Sequence, residues 1–449
     1  MGAQRRDAPK PGVSRRLVAT SIAGSIVEWY DLGIYGQASA LILNRLFFPN
    51  LSPALGVMAS FATFALGFFA RPVGGLIFAH FGDRLGRRSV LVMTLLVMGV
   101  STTLIGLMPT YATIGIAAPI LLIVFRLLQG AGAGAEYAGA TSLVAENAPP
   151  ARRGYYAALP VTGIYAGIGL AAGVSAAMAA LPPAQLAAWG WRVPFLFSVV
   201  MIGIGTVLRM SVGESVVFEK VRAANDVVRL PLWDVLRTQP RRVLLTMAAN
   251  GPLTFNIYVI QIFALSYVAG RGVAGSTPLI GLLLGCVLSL AAVPYAGALS
   301  DRYGRRRTYA SLSLFNAVMT IPFFLLLNTG SPGLIWLALA VGFGIGCCTI
   351  QAVQASFFTE LFDARSRFTG IVFGREVTVA LLAAPAPLIA TQLTSAAGGR
   401  VWPVAAMMIF LALLGAVAVL LAPETRGIDL EARAGRTTTG TGASALSRT

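Results

Sequence analysis

The sequence predicts an all-α membrane protein in which twelve transmembrane helices form two six-helix halves. Three observations carry that prediction. Hydrophobic residues make up 56% of the 449 and charged residues 11%, where a soluble domain carries roughly 25% charged; mean hydropathy is +0.76. Apolar runs near the length a bilayer requires, about 20 residues, recur along the whole chain. One short charged loop also occurs twice, as "GDRLGRR" at 82–88 and "SDRYGRR" at 300–306.

The runs fall at 17–43, 54–80, 89–108, 113–145, 155–180 and 192–211, then at 241–268, 276–299, 308–328, 332–359, 368–396 and 401–422. The run at 113–145 is long enough that it must tilt or protrude. The division is an N-tail (1–16), a first half (17–211), a charged central loop (212–240), a second half (241–422) and a C-tail (423–449). The repeated loop lies between the second and third run of each half. Glu146 and Arg153 recur with similar spacing as Glu360 and Arg367, so the halves read as a duplication, the plan on which many secondary transporters are built.

Orientation follows from Lys and Arg. Placing both termini in the cytoplasm gathers Arg5, Arg6, Lys10, Arg15 and Arg16, both repeated loops, Arg152, Arg153, the stretch from Arg209 to Arg242, Arg365, Arg367 and the C-tail on one side. It leaves only Arg45, Arg192, Arg271 and Arg400 opposite, which is the positive-inside pattern. The net charge of +17 therefore sits in short clusters between apolar runs. A continuous basic face for nucleic acid is not expected.

The three cysteines, Cys286, Cys347 and Cys348, lie in apolar runs, so neither a disulfide framework nor a zinc site is expected. The first run is too long for a signal peptide and has no small-residue cleavage site. No phosphate-cradling loop and no His-Glu-x-x-His are present. Neither an enzyme, a cofactor nor a metal is expected.

Charge inside the apolar runs is then the main functional signal. Glu28 and Asp31 are i, i+3 neighbours on the first run and share a face with Tyr35. Either they carry the driving proton and hold a polar solute, or they anchor helices by pairing with Arg; Asp31 is the favoured proton carrier. Arg126 with Gln129 can hold a carboxylate or pair with Asp31 when the site is empty, and Glu136 is a gate or a scaffold. Arg375 and Glu376 point about 100° apart, so one is expected to face a cavity and the other a neighbouring helix. Arg71 reads as an interfacial or locally paired arginine, and His80, the only histidine, as a filler. Asn250, Asn256, Tyr258 and Gln261 are candidate liners from the seventh run. Glycine pairs such as Gly163/Gly167 are expected to pack helices closely.

Several stretches are more specific. "RLLQGAGAGAEYAGA" (126–140), "EWYD" (28–31), "ARPVGG" (70–75), "WGWRVPFL" (189–196) and "APETRG" (422–427), with the duplicated loop, resemble the major facilitator superfamily. Within it the chain resembles the metabolite:proton symporter family, whose members move α-ketoglutarate, citrate, shikimate, proline and betaine. "PTYATIG" (109–115) and "ENAPPARRG" (146–154) lie nearest its shikimate-type branch. The chain departs at Ala79, at Gly134-Ala135-Glu136 where the family has Gly-Gly-Glu, at Tyr137 where Trp is common, and at "IQAVQA" (350–355).

The resemblance implies proton-coupled uptake of a small organic acid or zwitterion by alternating access, in a monomer spanning the bacterial inner membrane. The central cavity is expected between the first, fourth, seventh and eleventh helices. Proton coupling falls to Asp31, Glu28 and Glu136. Substrate binding falls to Arg126, Tyr35, Gln129, Tyr137, Asn256, Gln261, Arg375 and Glu376. Gate latching, implied by the family, falls to Asp83, Arg84, Arg87 and Arg88 and to Asp301, Arg302, Arg305 and Arg306. A proton-coupled exporter or antiporter of the same fold is the alternative. A solute sensor is disfavoured because the C-tail is too short for a signalling domain.

Overall fold

The computed structural model describes residues 13–85, 87–133, 136–211, 231–363, 367–428 and 430; side chains at 75–76, 79–91, 136–139, 209–211 and 231–234 fall outside the description. Among the described residues all regular secondary structure is helical. Backbone N–H and C=O groups find no water in hydrocarbon, so each apolar run closes its own hydrogen bonds.

The first half consists of α1 (Arg15–Leu41), α2 (Pro53–Leu85), α3 (Arg87–Leu107), α4 (Ala117–Gly132, followed by Glu136–Asn147), α5 (Arg153–Ala179) and α6 (Pro183–Leu208). The second half consists of α7 (Pro240–Gly270), α8 (Ser276–Tyr303), α9 (Arg305–Asn328), α10 (Pro332–Leu361), α11 (Arg367–Ala396) and α12 (Trp402–Leu420). Among the described residues nine of these are long and apolar enough to cross a bilayer. The others are α1, which carries Glu28 and Asp31, and α3 and α4, whose apolar parts are the shorter Val92–Leu107 and Ala117–Gly132.

The expected single run at 113–145 is instead broken. Ala133 has extended backbone, φ −105° and ψ 114°, within a Gly-Ala-Gly-Ala-Gly stretch whose glycines favour helix least of all residues but proline.

Outward faces of α3, α6, α9 and α12 carry large exposed apolar side chains at helical spacing. On α3 they are Leu96, Val100, Leu104 and Leu107, and on α9 Leu314, Val318, Ile321 and Leu325. Such stripes are costly in water and neutral in lipid, so these faces suit a lipid surround; α4 (Ile120, Val124, Leu127, Leu128) and α8 (Leu284, Val287, Leu288) carry similar ones. Inside, α5 packs on α1 and, across the halves, on α8. Gly154 and Gly297 let α5 and α8 touch: a Cβ on Gly297 would lie 2.5 Å from the Gly154 carbonyl oxygen.

Three helices of the second half contain π-helical turns, at Val259–Phe263 in α7, Ala340–Cys347 in α10 and Val379–Ala383 in α11. Such turns concentrate at functional sites. Each of these stands within a few residues of a side chain that lines the central cavity.

Candidate functional site

Near the middle of the bundle the halves enclose a cavity of about 10 Å³, room for about one water. Trp29 of α1, Arg71 of α2 and Tyr165 of α5 face it from the first half. Thr254 and Tyr258 of α7, Gln351 of α10, and Arg375 and Glu376 of α11 face it from the second. The expected first, seventh and eleventh helices therefore contribute, while α2, α5 and α10 take the place of α4.

Arg71 stands at the centre, 4% exposed. Its Nε is 2.9 Å from Glu376 Oε2, and its Nη2 is 3.6 Å from Glu28 Oε1. Arg375 Nη1 is 3.8 Å from Glu376 Oε1. Two guanidiniums thus balance two carboxylates across the halves. Tyr165 donates its hydroxyl proton to Gln351 Oε1, a second polar link between the halves. The Tyr258 ring packs on Phe64 and Phe68.

This corrects the reading of Arg71 as an interfacial residue. Nothing near it in sequence announces a partner: Glu376 lies some three hundred residues away. Arg375 and Glu376 also differ from expectation, since both line the cavity. Side chains 100° apart can straddle a cavity at a helix edge, though they cannot meet one small partner.

Asp31 faces the other way, into the first half. Ser198 donates to its Oδ1 at 2.6 Å and Thr102 contacts Oδ2 at 3.2 Å. Among the described residues no cation lies within 4 Å of this buried carboxyl. Arg126 does not pair with it. Instead Arg126 donates to Gln129 Oε1 (2.5 Å) and to the Phe64 carbonyl (3.2 Å), and Gln129 donates to Thr102 (2.8 Å) and the Asp31 carbonyl (3.3 Å). The guanidinium carbon sits 4.3 Å from the Tyr35 ring centroid, 5.1 Å from that of Phe64 and 5.7 Å from that of Phe68, within cation–π range. Tyr35 itself donates to Thr63 at 2.7 Å. Arg126, Gln129 and Tyr35 lie together beside Phe64 and Phe68, one layer outside the cavity.

Asn256 turns into the second half, donating to Asn316 (2.9 Å) and the Met408 carbonyl (3.3 Å). Gln261 is buried in the π turn of α7. Neither lines the central cavity. Asn250 bonds Thr378 at 2.8 Å, fastening α7 to α11. The side chains of Glu136, Tyr137, His80, Asp83, Arg84, Arg87 and Arg88 lie outside the described residues.

At the end of the bundle that carries the second repeated loop, the halves are fastened by directed bonds. Asp301 accepts from the backbone N–H of Gly154 (2.8 Å) and Tyr155 (2.9 Å) at the start of α5, where helix N–H groups and dipole favour an anion. Arg305 reaches Asp301 at 2.7 Å and forks onto Glu360 with two 3.1 Å bonds. Arg153 of the first half shares Glu360 at 3.2 Å, and Arg367 of the second bonds Glu146 of the first at 2.5 Å. Arg302 lies over the Tyr303 ring, and Arg306 donates to the Leu420 carbonyl.

Thr425 adds a 2.8 Å bond to Glu360. Glu424 caps α9, accepting from Arg305 N (2.9 Å) and Arg306 N (3.2 Å) as well as from Thr425 N and Arg426 N (both 3.0 Å). Partial burial pushes its pKa up, but the four N–H groups outweigh this and hold it below the ordinary glutamate value. Gly304, at φ 95°, makes room: a Cβ there would lie 2.7 Å from Glu424 Oε2. Of these residues sequence reasoning singled out only the loop members for a role. The recurrence of Glu146/Arg153 as Glu360/Arg367 was the available signal for those four, and the stretch "APETRG" for Glu424 and Thr425.

Known proteins share both sequence and fold with this chain. Residues 24–383 match the family described as Major Facilitator Superfamily. The shikimate transporter of Escherichia coli strain K12 is 37% identical over 423 residues, covering 92% of this chain and 95% of that protein. The inner membrane metabolite transport protein YhjE of the same organism is 37% identical, covering 92% and 94%. The proline/betaine transporter of that strain is 30% identical, covering 94% and 85%. Among solved structures, a D-xylose–proton symporter superposes with TM-score 0.72 at 18% identity, covering 92% of this chain and 99% of that one. The chain is a multi-pass membrane transporter, not an enzyme, and belongs to the major facilitator superfamily.

Proposed function

We propose that the protein is a proton-coupled symporter that takes up a small organic acid or zwitterion by alternating access. The observation that carries this reading is the division of labour between two buried acids of α1. Glu28 belongs to the charged cluster around the cavity, and among the described residues the Asp31 carboxyl is held by two hydroxyls and no cation. A carboxylate buried without a counter-charge is costly, and such a group neutralises by taking up a proton. Asp31 is therefore the proton carrier, with Arg126 and Gln129 relaying its state toward the aromatic wall of the cavity.

The central cluster is the substrate site. Its guanidiniums suit a carboxylate, its acids suit an ammonium, and Trp29, Tyr165 and Tyr258 offer aromatic faces to either. The shikimate and proline/betaine relatives carry compounds of these classes. The bonded network at the far end is the gate, on the cytoplasmic side with both termini, and residues 17–211 and 241–422 are the halves that rock about the site.

Uptake into proteoliposomes with and without an inward proton gradient tests this. The panel is α-ketoglutarate, citrate, shikimate, proline and betaine. Accumulation of one compound, abolished by a protonophore, is expected; equilibration without accumulation would sink proton coupling.

A further inference from the structure

The Arg71–Glu376 ion pair is poorly bonded for groups so deeply buried. Arg71 Nε and Glu376 Oε2 are 2.9 Å apart, yet among the described residues neither atom has a hydrogen-bond partner, so the N–H is not aimed at the oxygen. The approach of Arg71 Nη2 to Glu28, 3.6 Å, is beyond hydrogen-bond reach. A guanidinium can donate two parallel bonds to one carboxylate. Arg305 does this with Glu360; Arg71 does it with nothing, although it lines a cavity.

We propose that Glu376 is a placeholder, and that the substrate's carboxylate displaces it from Arg71. The incoming group takes the fork in paired bonds, and Glu376 turns to Arg375, already 3.8 Å away. The substrate class is then any small compound with at least one free carboxylate. Because Arg71 belongs to the first half and Glu376 to the second, the exchange also releases a direct ionic tie across the middle of the protein. Substrate arrival is thereby linked to freedom of the halves. The proposal rests on the reading that the central cavity is the substrate site.

Competition of this kind lowers apparent affinity by the fraction of molecules in which Arg71 is open. Calorimetry on the purified full-length protein with the same five compounds reads it directly. Glu376→Gln is expected to bind the recognised acid about tenfold tighter than wild type, and Arg71→Lys to lose most binding. Weaker or equal binding by Glu376→Gln overturns the proposal and leaves the cavity as the site. Should Glu376→Gln melt on purification, the wild type still decides: the methyl ester of the recognised acid is expected to bind at least about a hundredfold more weakly, and equal binding of ester and acid overturns the proposal. If Arg71→Lys and Tyr258→Phe both leave binding unchanged, the substrate site lies elsewhere and the underlying reading falls with it.

Discussion

Two buried charge networks join the halves of this protein, and they are bonded differently. At the end of the bundle, Arg305, Asp301, Glu360, Arg153 and Thr425 satisfy one another through short directed bonds, and the N-termini of α5 and α9 each receive a carboxylate. At the centre, Arg71, Glu28, Glu376 and Arg375 balance in charge but meet at 2.9–3.8 Å without alignment. The first is a fastening whose partners are all built into the chain. The second leaves Arg71 Nε and Glu376 Oε2 without a hydrogen bond among the described residues, capacity for a group that comes and goes.

Breaking the fastening should therefore have the largest effect on stability. Glu360→Gln leaves Arg153 and Arg305 buried beside a neutral amide, and removal of one partner from a buried pair costs about 3–5 kcal/mol. A sharply lower melting temperature in detergent is expected, with easier labelling of cysteines placed beside Arg153. An unchanged melting temperature would mean the network is incidental.

Next comes a comparison of two arginines. Arg71→Lys, at the cavity, should weaken binding of the recognised compound by about tenfold or more, because a lysine cannot fork. Arg126→Lys, behind the aromatic wall, should change affinity less and shift the pH dependence of transport more. The reverse ranking in binding titrations would move the substrate site outward to Arg126.

The smallest effect belongs to Glu424. Its folded-state value lies below the unfolded one, so its contribution is present above the ordinary glutamate range and is lost as pH falls through the depressed folded value. Melting temperatures of wild type and Glu424→Gln should differ near neutral pH and converge under acid conditions. A constant difference across that window would remove the cap from the account.

Much of this arrangement was legible in the chain. The apolar runs announced the twelve helices, and the acids in "VEWYD" marked α1. The repeated loop located Asp301 and Arg305. Pairings between the halves were not legible, because no local pattern links Arg71 to Glu376 or Arg153 to Glu360. Position misled at Arg71, since an arginine toward a helix end looks interfacial or locally paired until the partner half is in place. The expectation that Arg126 with Gln129 holds a carboxylate or pairs with Asp31 rested on their types and spacing, which do not show the aromatic rings between them and the cavity. The break after Gly132 could be read from its glycines only once the run was known to be too long.

The central claim is that Asp31, apart from the charged cluster that binds substrate, carries the proton, and Asp31→Asn in proteoliposomes tests it most directly. The substitution keeps the shape and one of the two hydroxyl-accepting oxygens while removing the titrating group. The account predicts that exchange of internal for external substrate survives while accumulation driven by a proton gradient disappears. Accumulation at the wild-type level would contradict it and remove Asp31 from the coupling mechanism.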